Sequence, residues 1–269
     1  MNRFELVIVG GGLTAARAIK SYRESGGDGR IALLTKERTP PYHRPPLSKR
    51  FLRGEAERQD TLVAPQGFYE ENDVELLLGA EVRHVEPGEH AVETTDGSRY
   101  RYRKLLLATG AEPRRLPVEG ADLPGVFTLR SVDDAAAIRE AAAKARDAVV
   151  VGSGFIGMEV AASLTDLGLE VTLVTRDTRL FGQLRSPEIS EHLADLYRYR
   201  RVGIVLGDGV RAFHGRSSLD TVELTSDVAL GRNEQIRIAT DSSPGARRRK
   251  KPARRRTNEV IGDDKETRG

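Results

Sequence analysis

An α/β fold follows from three features of the sequence. Two strand–glycine turn–helix units lie about 140 residues apart, short alternating strands lie between them, and no apolar run approaches the ~18 residues of a membrane span. Together they predict two Rossmann-like, three-layer dinucleotide-binding domains with an inserted β-meander. The 269 residues suffice for two domains with their own cores. Absence of cysteine excludes disulfides, thiolate metal sites and a redox-active cysteine pair, and no metal site is expected. The chain enters its first strand at once, which argues against a secretory signal. With no span, this points to the cytoplasm.

The first unit runs from Phe4 to Ala16. Its strand, Phe4–Val9, is apolar almost throughout, as in the middle of a parallel sheet. Gly10 permits the tight turn, Gly12 lets the backbone approach a pyrophosphate, and Ala15 lets helix pack on strand. Leu13 and Thr14 open the helix, whose N–H groups and positive dipole end face the phosphates. The second strand, Ile31–Leu34, ends at Lys36 and Glu37, where an acidic residue often takes the ribose hydroxyls. Glu37 can do so; a solvated loop charge is the alternative.

Next comes Pro40-Pro41-Tyr42-His43-Arg44-Pro45-Pro46-Leu47-Ser48-Lys49. Its four prolines fix an extended path with few backbone donors. The bare pattern also fits a polyproline ligand, but its place just after the second strand favours a buried active-site segment. From Val74 to Gly110 the pattern becomes short alternating strands, with a hairpin turn at Asp96-Gly97. The stretch ends in Leu105-Leu106-Leu107-Ala108-Thr109-Gly110, a core strand running into a turn of small residues.

Residues 148–159 repeat the opening logic. Gly152, Gly154 and Gly157 match all three glycine positions, and Phe155 and Ile156 open the helix. Two such units suggest electrons passing between two dinucleotides. Glu159 lies early in this helix, where an acid also simply favours the dipole. The following strand, Glu170–Val174, ends in Thr175-Arg176-Asp177. An acid there suits the 2′-hydroxyl of NAD and an arginine the 2′-phosphate of NADP. Thr175 holds the acid's usual place and Arg176 follows it, so both NADH and NADPH stay open. Asp177, one position late, is still able to serve a ribose. A helix is expected around Glu188–Arg200, with strands near Val202–Leu206 and Thr221–Leu224.

The net charge of +3 is misleading, because residues 247–256 hold eight basic side chains. The remaining 35 basic residues face 40 acidic ones, a balance of −5. From residue 241 the sequence loses apolar periodicity and reads as a disordered basic tail, 241–269. The run lacks aromatic interleaving, so nucleic-acid binding is not favoured, and membrane binding is not expected.

The Pro-Tyr-x-Arg-Pro-Pro-Leu-Ser-Lys string closely resembles a segment of the FAD-dependent NAD(P)H:ferredoxin reductase family, within the pyridine nucleotide-disulfide oxidoreductase superfamily. The resemblance covers residues 1 to about 226. It implies FAD on the first unit and NAD(P)H on the second, in a FAD-binding domain at 1–115 and an NAD(P)-binding domain at 116–240. It implies that Arg44 and Arg130 hold FAD, that Val82 packs near the adenine, and that Thr109 and Gly110 pass close to the cofactor. It places Lys49 beside the flavin ring, paired with Glu159. It further implies electron delivery to a ferredoxin- or rubredoxin-like iron–sulfur protein.

Two departures stand out. Lys36 occupies a position where the family often has an acid. After about Asp227 nothing continues the second domain or returns to the first, so the FAD domain reads as incomplete and C-terminally truncated. Gly262-Asp263 lacks the apolar strand that a ribityl-binding Gly-Asp turn would follow. An artificial or frameshifted C-terminus would account for the change. The alternative to a reductase is therefore a catalytically inactive nucleotide-binding remnant.

Overall fold

The computed structural model describes residues 3–65, 67–226, 229–231 and 235–239. Asp227, Gly262-Asp263 and the expected tail with its basic run lie outside them. The chain opens with β1 (Arg3–Val9), α1 (Leu13–Glu24) and β2 (Ile31–Thr35). After a long irregular segment come α2 (Phe68–Glu71), β3 (Val74–Leu78), β4 (Val82–Glu86), β5 (Ala91–Thr94) and β6 (Arg99–Leu107). They form one sheet in the order β3-β2-β1-β6-β5-β4, parallel from β3 to β6 and antiparallel from β6 to β4. Strand periodicity assigns the faces. Leu6 and Ile8 pack on Ala15 and Ile19 of α1, while Val7 and Val9 pack with Val92 and Tyr102 of the meander. The hairpin sits at Asp96-Gly97, with Gly97 at φ +85° and the Asp96 carboxylate accepting the Ser98 N–H at 3.0 Å.

The second half contains β7 (Val126–Thr128), α3 (Val132–Ala142), β8 (Asp147–Val151), α4 (Phe155–Asp166) and β9 (Glu170–Thr175). These are followed by α5 (Pro187–Tyr199), β10 (Gly203–Leu206), β11 (Val210–His214), β12 (Thr221–Leu224), β13 (Ala229–Gly231) and β14 (Gln235–Ala239). An all-parallel sheet runs β10-β9-β8-β14-β7. Ala148 and Val150 point to the helical side, with α3, α4 and α5. Val149 and Val151 point to the opposite side, against the antiparallel β11-β12-β13 layer. Each half is thus three layers deep, helical on one face of its parallel strands and β on the other. Ser131 and Asp134 start α3 with a reciprocal capping box, and Ser186 with Pro187 starts α5. Among the described residues no helix is long and apolar enough to cross a membrane.

One expectation is corrected. The sequence shows nothing after Asp227 that continues the second domain, yet β14 inserts between β8 and β7 and completes that sheet. A five-residue strand of mixed polarity carries little local signal; parallel pairing on both edges decides its place. Strand β11 is likewise not marked by the sequence pattern.

The irregular segment after β2 leaves the first sheet and enters the second core. Tyr42, Leu47, Phe51 and Leu52 are buried together with Val132, Ile138, Val160 and Leu164. Ion pairs Arg58–Asp133 at 2.7 Å and Arg139–Glu57 at 3.9 Å flank this seam. Leu52 is fully buried, so Leu52→Ala should destabilise the second half by about 2–5 kcal/mol. Thermal unfolding followed by circular dichroism checks this; an unchanged midpoint would show that the segment only rests on the surface.

Candidate functional site

The two glycine turns are built alike. Gly10 has φ +112° and Gly152 φ +106°. The N–H of each donates to the neighbouring strand, to Leu34 O and Val174 O, both at 2.8 Å. Gly12 caps α1 at φ −93°, ψ −176°, and Gly154 caps α4 at φ −78°, ψ −176°. No side chain caps either helix, which leaves first-turn N–H groups for an anion. At Gly10 a Cβ would collide with the Ala108 carbonyl, so glycine is a steric requirement of the fold. At Gly12 a Cβ would meet no protein atom within 4 Å. That space opens into the cavity beside it. Ala15 and Gly157 are buried on the inner faces of their helices.

The cavity beside the first turn has a volume of about 520 Å³. Gly10, Gly12, Leu13 and Thr14 form its floor, and Lys36, Glu37 and Arg44 stand along one side. Val82, Thr109, Gly110 and Arg130 are also among its lining residues. Its charges are partly spent. Arg44 Nη2 donates to Glu37 Oε1 at 2.9 Å, and Arg44 Nη1 donates to the Arg130 carbonyl. The buried Tyr42 hydroxyl donates to the Glu37 carboxylate and accepts the Val132 N–H at 3.0 Å. Burial, then this bond to Glu37, pushes the Tyr42 pKa well above the usual phenol range. Lys36 pairs with Glu112 across the mouth, the hydrogen bond between them raising the lysine pKa and lowering the glutamate pKa.

Arg130 differs. Among the described residues no carboxylate pairs with it, and its Nε is buried without a partner. Burial, then the neighbouring Arg44, lowers its pKa. An unmatched guanidinium, uncapped helix N–H groups and a clear Gly12 approach fit a diphosphate.

Lys49 lies outside this cavity, at the seam between the halves. Its Nζ is 2.5 Å from Glu159 Oε2 on α4, and both side chains are partly exposed. Ser48 Oγ donates to the same carboxylate oxygen at 2.5 Å, and Ser163 Oγ donates to the Ser48 carbonyl at 2.7 Å. Glu159 is therefore held from the segment that also supplies Arg44.

At the second turn, Phe155 is exposed, stacks edge-on with Phe181 at 4.7 Å, and adjoins the partly buried Ile156. Thr175 ends β9 buried, hydrogen-bonded to Ser153 Oγ at 3.1 Å. Arg176 is exposed beside it. The sequence reading missed Glu112, Tyr42 as a hydrogen-bond hub, and the Ser48–Ser163 link. Tyr42 sat inside a motif already marked. Glu112 is 76 residues from Lys36 and left no local signal.

This geometry has counterparts. Residues 4–241 match the family model described as pyridine nucleotide-disulphide oxidoreductase. The chain is 37% identical over 212 residues to the 5,5'-dehydrodivanillate O-demethylase ferredoxin reductase subunit of Sphingobium sp. (strain NBRC 103272 / SYK-6), covering 79% of this chain and 52% of that protein. It is 35% identical over 248 residues to the rubredoxin-NAD(+) reductase of Pseudomonas putida, covering 88% and 64%. The covalent putidaredoxin reductase–putidaredoxin complex superposes with a TM-score of 0.82 at 31% identity, covering 89% of this chain and 58% of that one. The chain thus spans about half to two thirds of the length of these relatives. Duplicated glycine turns of matching geometry, each at the end of a parallel strand, and a family match spanning nearly all of both sheets lead to one conclusion: the chain belongs to the pyridine nucleotide-disulphide oxidoreductase family.

Proposed function

We propose that this chain supplies the nucleotide-binding part of a flavoprotein oxidoreductase of the ferredoxin reductase type. The observation that carries the reading is the seam between the two cradles, where Lys49 reaches Glu159 from the segment that walls the first cavity. In this reading the first cradle, at 1–115, holds FAD and the second, at 116–240, holds NAD(P)H. Bound FAD would supply the chemistry, taking a hydride and releasing electrons singly to a ferredoxin- or rubredoxin-like iron–sulfur protein. A cytoplasmic setting goes with it.

The residues' tasks follow from their surroundings. Gly10 and Gly12 with the start of α1 receive the FAD diphosphate, and Arg130 neutralises it. Arg44, braced by Glu37 and Tyr42, lines the same wall. Val82 flanks the adenine, and Thr109 and Gly110 let the backbone pass close. Gly152, Gly154 and the start of α4 receive the second diphosphate, and Gly157 lets α4 pack close on its strand. Lys49 and Glu159 form the catalytic pair, holding opposite charges fixed where the two ligands meet, and Ser48 orients the glutamate.

The purified protein mixed with FAD should show a flavin absorbance band that bleaches on anaerobic addition of NAD(P)H; a protein that stays colourless with added FAD would favour the inactive remnant. Gly12→Ala should keep the parent's thermal midpoint and weaken FAD binding by about tenfold, or roughly 1.4 kcal/mol. Gly10→Ala should instead lower the midpoint, because its Cβ strikes the Ala108 carbonyl. Equal effects of the two on stability would contradict this division of roles. Lys49→Ala and Glu159→Gln should each slow flavin reduction by about tenfold or more in stopped flow while FAD stays bound. Reduction at the parent rate in both would remove the pair from the reaction.

A further inference from the structure

This inference rests on the reading of the second cradle as the nicotinamide-nucleotide site. We propose that this cradle selects a 2′-phosphorylated nucleotide, NADPH over NADH, through Arg176. The end of the second strand of such a unit is where the adenosine ribose is held, and here that end is β9.

Three observations there agree. Thr175 stands where an acid would receive the 2′-hydroxyl, but it is buried, and its hydroxyl already accepts from Ser153 Oγ at 3.1 Å and from the Asp177 N–H at 3.2 Å. Asp177 stands one position beyond the acid's place: its carbonyl accepts the Gly207 N–H at 3.0 Å, and its exposed side chain lies near Gly182. Arg176 lies between them, exposed, with its stem along Gly209. Among the described residues no carboxylate pairs with it.

An exposed arginine is common, so the first cradle serves as the control. There Thr35 Oγ1 accepts the Glu37 N–H at 3.2 Å, the same arrangement as Thr175 with Asp177. The cation between them, Lys36, is neutralised by Glu112. At the matching place in the second cradle the cation is an arginine, and no carboxylate among the described residues neutralises it. A guanidinium fork gains more from a phosphate dianion, which it meets with two charge-assisted hydrogen bonds, than from a neutral hydroxyl. Arg179, on the same loop, adds positive charge. The loop is tied to the glycine turn by the Phe181 N–H donating to the Ser153 carbonyl at 3.2 Å. Selection of NADPH would set this chain apart from its relatives named as NAD(+) reductases.

The test is calorimetric titration of the full chain with ADP-ribose and with its 2′-phosphorylated counterpart, which needs no flavin. The 2′-phosphorylated ligand is expected to bind at least about tenfold tighter. Arg176→Ala should erase that difference by weakening this ligand, and raised salt should narrow it. Equal or tighter binding of ADP-ribose by the parent chain, or undiminished discrimination in Arg176→Ala, would overturn the inference while leaving the nucleotide site standing. Binding of neither ligand would overturn the site itself and the inference with it.

Discussion

The burial of Tyr42, Leu47, Phe51 and Leu52 in the core of the second sheet is the constraint on which the rest of the molecule depends. These residues come from the segment that follows the first nucleotide cradle, yet they pack on α3 and α4. Fully burying one such side chain stabilises by roughly 1.5–3 kcal/mol. An exposed ion pair contributes at most about 1 kcal/mol. Packing therefore decides the seam, and the Lys49–Glu159 pair is its consequence rather than its cause. Prolines on both sides of Tyr42 restrict the path, so the apolar side chains and Lys49 are delivered together.

The same seam explains why the first cavity has a defined wall. Tyr42 accepts the Val132 N–H at the start of α3 while donating to Glu37. Glu37 in turn neutralises Arg44, whose other nitrogen is fixed on the Arg130 carbonyl. On this cavity wall, among the described residues, Arg130 has no carboxylate partner and its Nε is unpaired. The two cradles share their backbone geometry closely, down to the threonine that folds each strand end back on itself. They differ in which strand-end charges are cancelled: Glu112 pairs with Lys36, while among the described residues no carboxylate pairs with Arg176.

Much of this was legible beforehand. The glycine turns, the meander with its Asp96-Gly97 hairpin, α5 and β12 all lie where the sequence puts them, because each rests on a local periodicity or a turn residue. Strand β14 was not legible: Gln235–Ala239 is short, and only pairing with β8 and β7 gives it a place. The ribose position after β2 was legible as a departure, Lys36 for an acid, but its outcome was not. Glu112 answers Lys36 from beyond the meander.

The sequence by itself determined where the backbone must turn tightly and where a phosphate can approach. Those properties belong to single residues, such as Gly10 with its positive φ and Gly12 with no Cβ. Only the tertiary structure decided which charges meet, as Lys49 with Glu159 and Lys36 with Glu112, and which, like Arg130 and Arg176, have no carboxylate partner among the described residues. The reason is physical. Backbone sterics act within a residue or two, whereas Coulomb and hydrogen-bond energies depend on distances that chain folding sets.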